Sequence, residues 1–250
     1  MLKTRIIPCL DVIKNKVVKG VNFKNIKVMG NAVEMAKNYS LSGADELCML
    51  DINASYQNRK TFIKTVEAIA KVINIPLTVG GGVSTLSDIT DLLNAGADKV
   101  SINSAAVKNP KIIKQASLRH GSQCIVVAID AKRYENQMRV VVKGGREITS
   151  KELVSWAKKV QLLGAGEILL TSMDTDGVQN GFDSKMLKKV TNNVSLPVIA
   201  SGGVGNLEHF FLGHLTKSTG LLAASVFHSG KYKINTVKKY LDQKGVPVRL

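Results

Sequence analysis

Two aspartates end two similar apolar runs, and their placement indicates acid–base chemistry. Asp11 follows the run Arg5-Ile-Ile-Pro-Cys-Leu, and Asp130 follows Cys124-Ile-Val-Val-Ala-Ile. An Asp after a strand is often only a helix cap or turn residue, but each of these precedes a long segment with no helical pattern. We therefore predict that one acts as general base and the other as general acid on a substrate held between them.

Two glycine-rich turns offer places to bind anions. Gly80–Gly82 and Gly202–Gly203 each follow an apolar run, and glycine lets backbone N–H groups come close to a ligand, at a point where a helix N-terminus follows. Asn103, Ser104 and Ser225 end the neighbouring runs and could complete each pocket. We predict two phosphate sites on opposite sides of one opening. The phosphate-loop and dinucleotide-binding motifs are missing from the sequence.

Two further polar sets stand at the ends of predicted strands. Asp51 and the segment Asp174-Thr-Asp176-Gly177 could bind ribose hydroxyls or ring nitrogens. Charged residues open four strands, and inward-pointing side chains would form a ring of two cations and two anions. Taken alone, such a ring is better read as an ion-pair plug without a functional role. Its members are Arg5, Glu46, Lys99 and Glu167.

Short runs rich in Ile, Val and Leu alternate with amphipathic helical patterns along the whole chain. Such alternation predicts a parallel sheet, and eight pairs in 250 residues predict an α/β fold that closes as a (β/α)8 TIM barrel. The predicted strands are 5–11, 46–51, 76–80, 98–102, 124–130, 167–172, 196–201 and 220–225. The predicted helices are 31–42, 60–73, 85–95, 109–119, 150–163, 184–193, 206–216 and 233–244.

Two long segments interrupt this alternation at the strand ends that form the active-site rim of such barrels. Residues 13–30 are predicted to be a flap loop over the site, and residues 132–149 an extended hairpin. The rest of residues 1–250 is predicted to be one barrel domain.

The sequence also repeats itself. Pro197 lies 121 residues after Pro76 within similar segments, and Gly164-Ala-Gly-Glu-Ile lies 121 residues after Gly43-Ala-Asp-Glu-Leu. The two aspartate-ending runs have nearly the same separation. The repeat predicts two similar half-barrels, so that a feature at one strand end has a counterpart across the barrel.

Composition places this chain among globular proteins. We expect a soluble cytoplasmic protein, because no apolar run approaches the roughly 20 residues that span a bilayer. The three cysteines lack disulfide or metal-site spacing, and the four histidines lack metal-ligand spacing. The net charge of +16 is spread over lysines along the chain. This distribution favours solvated helix faces over a nucleic-acid surface.

The motifs together resemble the cyclase subunits of imidazole glycerol phosphate synthases, a family of histidine biosynthesis. The resemblance extends over nearly the whole chain. It is carried by Arg5–Val12, Val17–Gly20, Thr78–Gly82, Ala97–Asn103, Val127–Lys132, Gly164–Ser172, Ile199–Gly203 and Ala223–His228.

The resemblance implies a reaction and a set of roles. The family's enzyme takes ammonia from a glutaminase subunit and uses a bisphosphorylated ribulosyl aminoimidazole carboxamide (PRFAR), giving imidazole glycerol phosphate and AICAR. It implies Asp11 and Asp130 as the acid–base pair and Lys19 on the flap, and it turns the charged ring into an ammonia gate. It implies neither a cofactor nor a metal, and neither a nucleic acid nor a membrane as a partner. One phosphate would contact Gly82, Asn103 and Ser104, and the other Asp176, Gly177, Gly203 and Ser225.

Some features depart from the family, and three alternatives stay open. The second half of the flap lacks the expected acidic residues and proline, and Lys217-Ser-Thr-Gly220 replaces a Gly-Ala-Asp before the last strand. The alternatives are the sister isomerase of the pathway, a paralogue that amidates surface sugars, and a non-enzymatic basic binding protein. The Lys99–Glu167 ring and the retained Asp11 argue against the first two.

Overall fold

Eight parallel strands form a closed barrel, as the alternation predicts. The protein is seen in a computed structural model that describes residues 2–13, 15–21, 24–52 and 63–250, without the side chains of residues 19–21 and 24–26. The barrel strands are β1 (Arg5–Ile13), β4 (Leu47–Asp51), β5 (Leu77–Gly80), β6 (Lys99–Ile102), β7 (Ile125–Tyr134), β10 (Glu167–Ser172), β11 (Val198–Ser201) and β12 (Gly220–Ala223).

Each barrel strand pairs in parallel with the next one along the chain, and β12 pairs with β1 to close the ring. Closure leaves the barrel without a free edge. It also fixes β1 and β7 four strands apart in either direction, so they face each other across the barrel. Asp11 lies opposite Leu50 in the β1–β4 register, and Asp130 lies opposite Thr171 in the β7–β10 register.

The long helices lie close to their predicted positions. All eight are present and pack apolar faces on the outside of the barrel. The predicted helix 150–163 begins at Leu153, because residues 147–152 form a strand. The predicted helix 60–73 ends at Ala70, and its predicted first residues, 60–62, lie outside the described part. Their bounds are Ala32–Leu41, Ile63–Ala70, Leu86–Asn94, Lys111–His120, Leu153–Leu162, Ser184–Thr191, Leu207–His214 and Ile234–Gln243.

The two long segments contain more strand than the sequence indicates. The flap segment 13–30 is not a plain loop, because β2 (Lys16–Val21) pairs antiparallel with β3 (Lys24–Asn31) and continues the sheet from β1. The predicted hairpin at 132–149 is confirmed as the end of β7 paired with β8 (Gln137–Val142), followed by β9 (Glu147–Glu152). Both of these antiparallel extensions pair with a barrel strand that carries a candidate catalytic aspartate, β1 for the first and β7 for the second.

In the described part of the chain, three short helical segments follow strands or helices without any sequence signal. Ser104–Lys108 and Ser225–His228 are single-turn helices directly after β6 and β12, and Ser122–Cys124 is a 3-10 turn before β7. Runs this short lack a full period of apolar residues, so periodicity cannot reveal them. Two of them begin at predicted phosphate-binding serines.

The barrel interior is a separate small apolar cluster inside the ring of strands. Cys48 and Leu169 belong to this cluster and Leu50 packs against it. Thr78 on β5 and Ser101 on β6 are also buried. None of the described helices has the length and apolar character needed to cross a bilayer.

Candidate active site

One cavity of about 1110 Å³ brings together most of the residues that the sequence singles out. It lies at the carboxyl ends of the barrel strands, where TIM-barrel sites are built. Both aspartates line it, although they lie 119 residues apart in sequence. The cavity is also lined by Asp51, Gly82, Asn103, Ser104, Asp176, Gly177, Gly203 and Ser225. Lys19 lies in β2, and its side chain is outside the described part.

Asp130 is half-buried and accepts two hydrogen bonds. Nδ2 of Asn103 donates to its Oδ2 across 2.9 Å, and Thr171 supplies a second hydrogen bond. Burial raises the pKa of Asp130 to about 7, with a further upward effect from the nearby Asp176 charge, while the two hydrogen bonds oppose the rise. A carboxyl with a pKa near neutrality can exchange protons in either direction at physiological pH.

Asp11 lies in β1, which faces the Asp130 strand β7 across the cavity. Its residue is 8% exposed, and Sγ of Cys9 lies 3.8 Å from its Oδ1. Cys9 belongs to the apolar cluster of the barrel interior. A thiol is only a weak hydrogen-bond donor, so this contact restricts the Asp11 carboxylate weakly.

The two glycine turns are built alike. Gly81 has φ +94°, and a Cβ there would lie 2.2 Å from the carbonyl oxygen of Asp51. Gly202 has φ +90°, and a Cβ there would lie 2.9 Å from the carbonyl oxygen of Ser172. These two pairs are separated by the same 121 residues in sequence. The half-barrel repeat therefore extends to the backbone contacts at the site.

The long helices that follow these turns are capped by the protein's own side chains. At Leu86–Asn94, the Asp88 carboxylate accepts hydrogen bonds from the backbone N–H groups of Ser84 and Thr85 at 2.8 and 2.9 Å. Burial raises the pKa of Asp88, but these hydrogen bonds outweigh it and lower the pKa below its usual value. The anion-binding capacity expected here must therefore come from the glycine turns themselves and from the neighbouring strand ends.

The corresponding helix in the second half, Leu207–His214, is capped in the same manner. Oδ1 of Asn206 accepts from the backbone N–H of His209, and Nδ1 of His209 accepts from the backbone N–H of Gly205, both at 3.0 Å. Burial lowers the pKa of His209, and the Lys231 charge adds to this effect. A neutral imidazole is the form that can accept the Gly205 hydrogen bond.

The four charged residues of the predicted ring meet at the amino ends of the strands, away from the cavity. Nη1 of Arg5 lies 2.7 Å from Glu46, and Nη2 lies 2.5 Å from Glu167. Nζ of Lys99 lies 3.1 Å from Glu46 and 2.9 Å from Glu167. Burial lowers the pKa of Arg5, but the Glu167 and Glu46 charges outweigh it and raise the pKa. The ring is thus closed and its charges balance.

Several cavity residues could not be found from the sequence. Thr171 is the counterpart of Leu50 in the repeat. Because that counterpart is apolar, the repeat does not predict that Thr171 forms a hydrogen bond with Asp130. Lys108 and Arg146 also line the cavity, but among many lysines and arginines they carry no local signal. Among the described residues, no three His, Cys, Asp or Glu side chains are grouped to hold a metal ion.

Comparison with known proteins defines the family. The sequence model of the histidine biosynthesis protein family matches residues 5–233. The imidazole glycerol phosphate synthase subunit HisF of Prochlorococcus marinus subsp. pastoris is 53% identical over 253 residues, covering 100% of this chain and 99% of that protein. The same subunit of Endomicrobium trichonymphae is 54% identical over 250 residues, covering 100% and 96%. The chain therefore belongs to the histidine biosynthesis protein family and, within it, to the HisF subunits of imidazole glycerol phosphate synthase.

Proposed function

We propose that this chain is the cyclase, a carbon–nitrogen lyase, that converts PRFAR and ammonia to imidazole glycerol phosphate and AICAR. The observation that carries the proposal is the position of Asp11 and Asp130 on facing strands of one cavity. A glycine turn lies on each side of this pair. The arrangement suits an elongated substrate with a phosphate at each end and its reacting atoms in the middle.

Acid–base catalysis follows from the bonds that change. Ammonia must lose protons as its nitrogen becomes bonded to carbon, and the departing amine and carbonyl oxygen must gain protons. Two carboxyls on opposite sides of the reacting atoms can perform both transfers. A pKa of about 7 leaves Asp130 partly protonated at neutral pH, which suits a group that donates at one step and accepts at another.

The substrate's two ends would contact equivalent parts of the two half-barrels. One phosphate would lie against Gly82, Asn103 and Ser104, and the other against Gly177, Gly203 and Ser225. Asp51 and Asp176 would contact hydroxyl groups between these ends. Lys19 would reach the substrate from the β2–β3 hairpin, which we expect to act as a flap.

Ammonia would reach the site through the barrel. The Arg5–Glu46–Lys99–Glu167 ring closes the amino end, and the interior above it is apolar. Such an interior keeps ammonia neutral and nucleophilic, because burial disfavours a charged ammonium ion. A HisH-type glutaminase subunit would dock on this end in a heterodimer. We place the complex in the cytoplasm, where buried free thiols such as Cys9 stay reduced.

The test is turnover of PRFAR by the purified chain with ammonium salt at high pH, where free ammonia is abundant. Wild-type protein should form imidazole glycerol phosphate and AICAR, and glutamine should replace ammonia only when the glutaminase is added. Asp11→Asn and Asp130→Asn should each lower kcat by at least about 100-fold, the lower range for positioned acid–base groups. Full turnover by either variant would refute the assignment.

The same assay separates the alternatives. The sister isomerase would transform its own substrate without consuming ammonia, so isomerisation in an ammonia-free reaction would identify it. A basic binding protein would show no turnover and would bind nucleic acid in a steeply salt-dependent way. The Lys99 contacts with both glutamates favour the cyclase, because they form the ring that the family resemblance implies at an ammonia entrance.

A further inference from the structure

The cavity has an uneven distribution of cations. Among its described lining residues, the cationic side chains are Lys108 and Arg146. Lys108 ends the short helix that begins at Ser104. The backbone N–H of Lys143 donates to Oγ of Ser104 across 3.1 Å, which fixes the Lys143–Arg146 turn against the same strand end. Both cations therefore belong to one end of the cavity, beside Ser104.

The turn between β8 and β9 is shaped to bring Arg146 to the cavity. Gly145 has φ +79°, and a Cβ there would lie 2.5 Å from Cε of Met173, so the turn lies close against the cavity wall. Nη1 of Arg146 donates to the carbonyl of Lys143 across 2.9 Å, which restricts the orientation of the guanidinium. Lys143 itself pairs with Glu147 at 2.7 Å, so its charge is compensated on the outer side.

The opposite end of the cavity is made differently. Its described lining includes Gly177, Gly203 and Ser225 but no cation. The residue 121 positions after Lys108 is Ser229, so the half-barrel repeat does not reproduce this feature. Six aspartates line the cavity, Asp11, Asp51, Asp88, Asp91, Asp130 and Asp176, and they make it unfavourable for an anion unless cations balance them.

We propose that Arg146 binds one phosphate of the substrate at the Ser104 end, with Lys108 adding charge, and that this end is the stronger of the two anion sites. A guanidinium can donate two parallel hydrogen bonds to a phosphate, which a lysine ammonium cannot. Because both of these cations belong to the Ser104 end among the described lining residues, they also set which way a two-phosphate ligand lies across the aspartate pair. The inference rests on the proposed function for the identity of the ligand, but not for the presence of the anion site.

The first experiment uses inorganic phosphate as the probe and needs no turnover. Calorimetric titration of the wild-type chain should show a tighter and a weaker phosphate site. In Arg146→Gln the tighter site should weaken by about tenfold or more, the loss expected for a hydrogen bond to a charged group. Arg146→Lys should retain part of the affinity. Arg119→Gln is the matched control, because Arg119 is exposed on the helix Lys111–His120 and does not line the cavity.

The second experiment measures PRFAR kinetics with ammonium salt. Arg146→Gln should raise KM by about tenfold with little change in kcat, since it removes binding that is uniform between ground and transition states. Circular dichroism melting should give the same Tm as Arg119→Gln, which would exclude misfolding as the cause.

The outcomes are separable. If Arg146→Gln keeps wild-type phosphate affinity and KM, the inference is wrong, even if PRFAR is turned over. If the wild-type chain does not turn over PRFAR but Arg146→Gln loses the tighter phosphate site, the anion site stands and the proposed cyclase function fails.

Discussion

The side-chain amide of Asn103 donates to Oδ2 of Asp130 across 2.9 Å, which joins a predicted phosphate-binding residue directly to a predicted catalytic one. Oδ1 of Asn103 is buried and has no hydrogen-bond partner in the described part of the chain, so the Asp130 contact is what orients the amide there. Burial raises the pKa of Asp130 to about 7, and the Asn103 hydrogen bond opposes the rise. Asn103 is therefore a positioning residue that also adjusts the acidity of Asp130.

Replacing Asn103 with leucine should raise the pKa of Asp130 above its present value of about 7. The donor stabilises the carboxylate, so its loss favours the protonated form and moves the midpoint of the Asp130-dependent limb of the pH–rate profile upward. The measurement is kcat against pH at a constant concentration of free ammonia. Asp130→Asn should remove that limb altogether.

Ser104→Ala serves as the control for Asn103→Leu. Its hydroxyl accepts from Lys143 and has no hydrogen bond to Asp130 among those of the described residues. It should raise KM while leaving the pH midpoint where it is. An unchanged midpoint in Asn103→Leu would mean that the 2.9 Å contact does not influence the ionisation of Asp130.

Alanine at Gly81 or Gly202 should damage the site far more than alanine at Gly230. All three have positive φ, but a Cβ at Gly81 or Gly202 would lie 2.2 or 2.9 Å from a backbone oxygen, whereas at Gly230 it meets nothing within 4 Å. Gly230→Ala should cost about 1 kcal/mol of unfolding free energy from backbone strain alone. The other two should also displace the Asp51 or Ser172 strand end. Urea unfolding together with KM for PRFAR checks this, and equal losses in all three variants would contradict it.

The sequence is sufficient to predict the barrel and the facing aspartates, because buried parallel strands can be recognised as short apolar runs. Runs of Ile, Val and Leu mark all eight barrel strands, and the 121-residue repeat predicts that the Asp51 and Ser172 strand ends are equivalent. The ring of Arg5, Glu46, Lys99 and Glu167 needed the family resemblance, since four charges at strand starts do not by themselves indicate a role.

Other features arise from tertiary contacts that no local pattern encodes. The strand at 147–152 replaces the start of a predicted helix because it pairs with β8, and pairing across a hairpin overrides helix propensity. Arg146 becomes a cavity residue only because Lys143 is tied to Ser104, 39 positions earlier in the chain. The Asn103–Asp130 contact likewise depends on the register of two neighbouring strands.

Lys99→Met should lower turnover with glutamine and the glutaminase while leaving turnover with ammonium salt nearly unchanged. Nζ of Lys99 bridges both glutamates of the ring, so methionine leaves two carboxylates with Arg5 alone and changes the net charge at the barrel base. We expect turnover with ammonium salt to stay within about twofold, and glutamine-dependent turnover with the glutaminase to fall by about tenfold or more. Lys185→Met, on the outer face of the helix Ser184–Thr191, should change neither rate. Equal losses with both nitrogen sources would mean that the ring acts on the fold rather than on ammonia supply.

Lys238→Met should destabilise the barrel strongly, since Nζ of Lys238 is paired with Oδ1 of Asp45 at 2.8 Å and both side chains are at most 4% exposed. Oδ2 of Asp45 also accepts the backbone N–H of Ile6, so the pair ties the last helix to β1 beside the ring. Removing one partner leaves a buried charge unpaired and should cost about 3–5 kcal/mol. The exposed neighbour Lys239→Met should cost less than about 0.5 kcal/mol.

Adding Asp45→Asn to Lys238→Met removes the unpaired carboxylate, so the double variant should lose less than the two single losses added together in urea unfolding. Strict additivity would show that the two side chains do not interact in the folded protein.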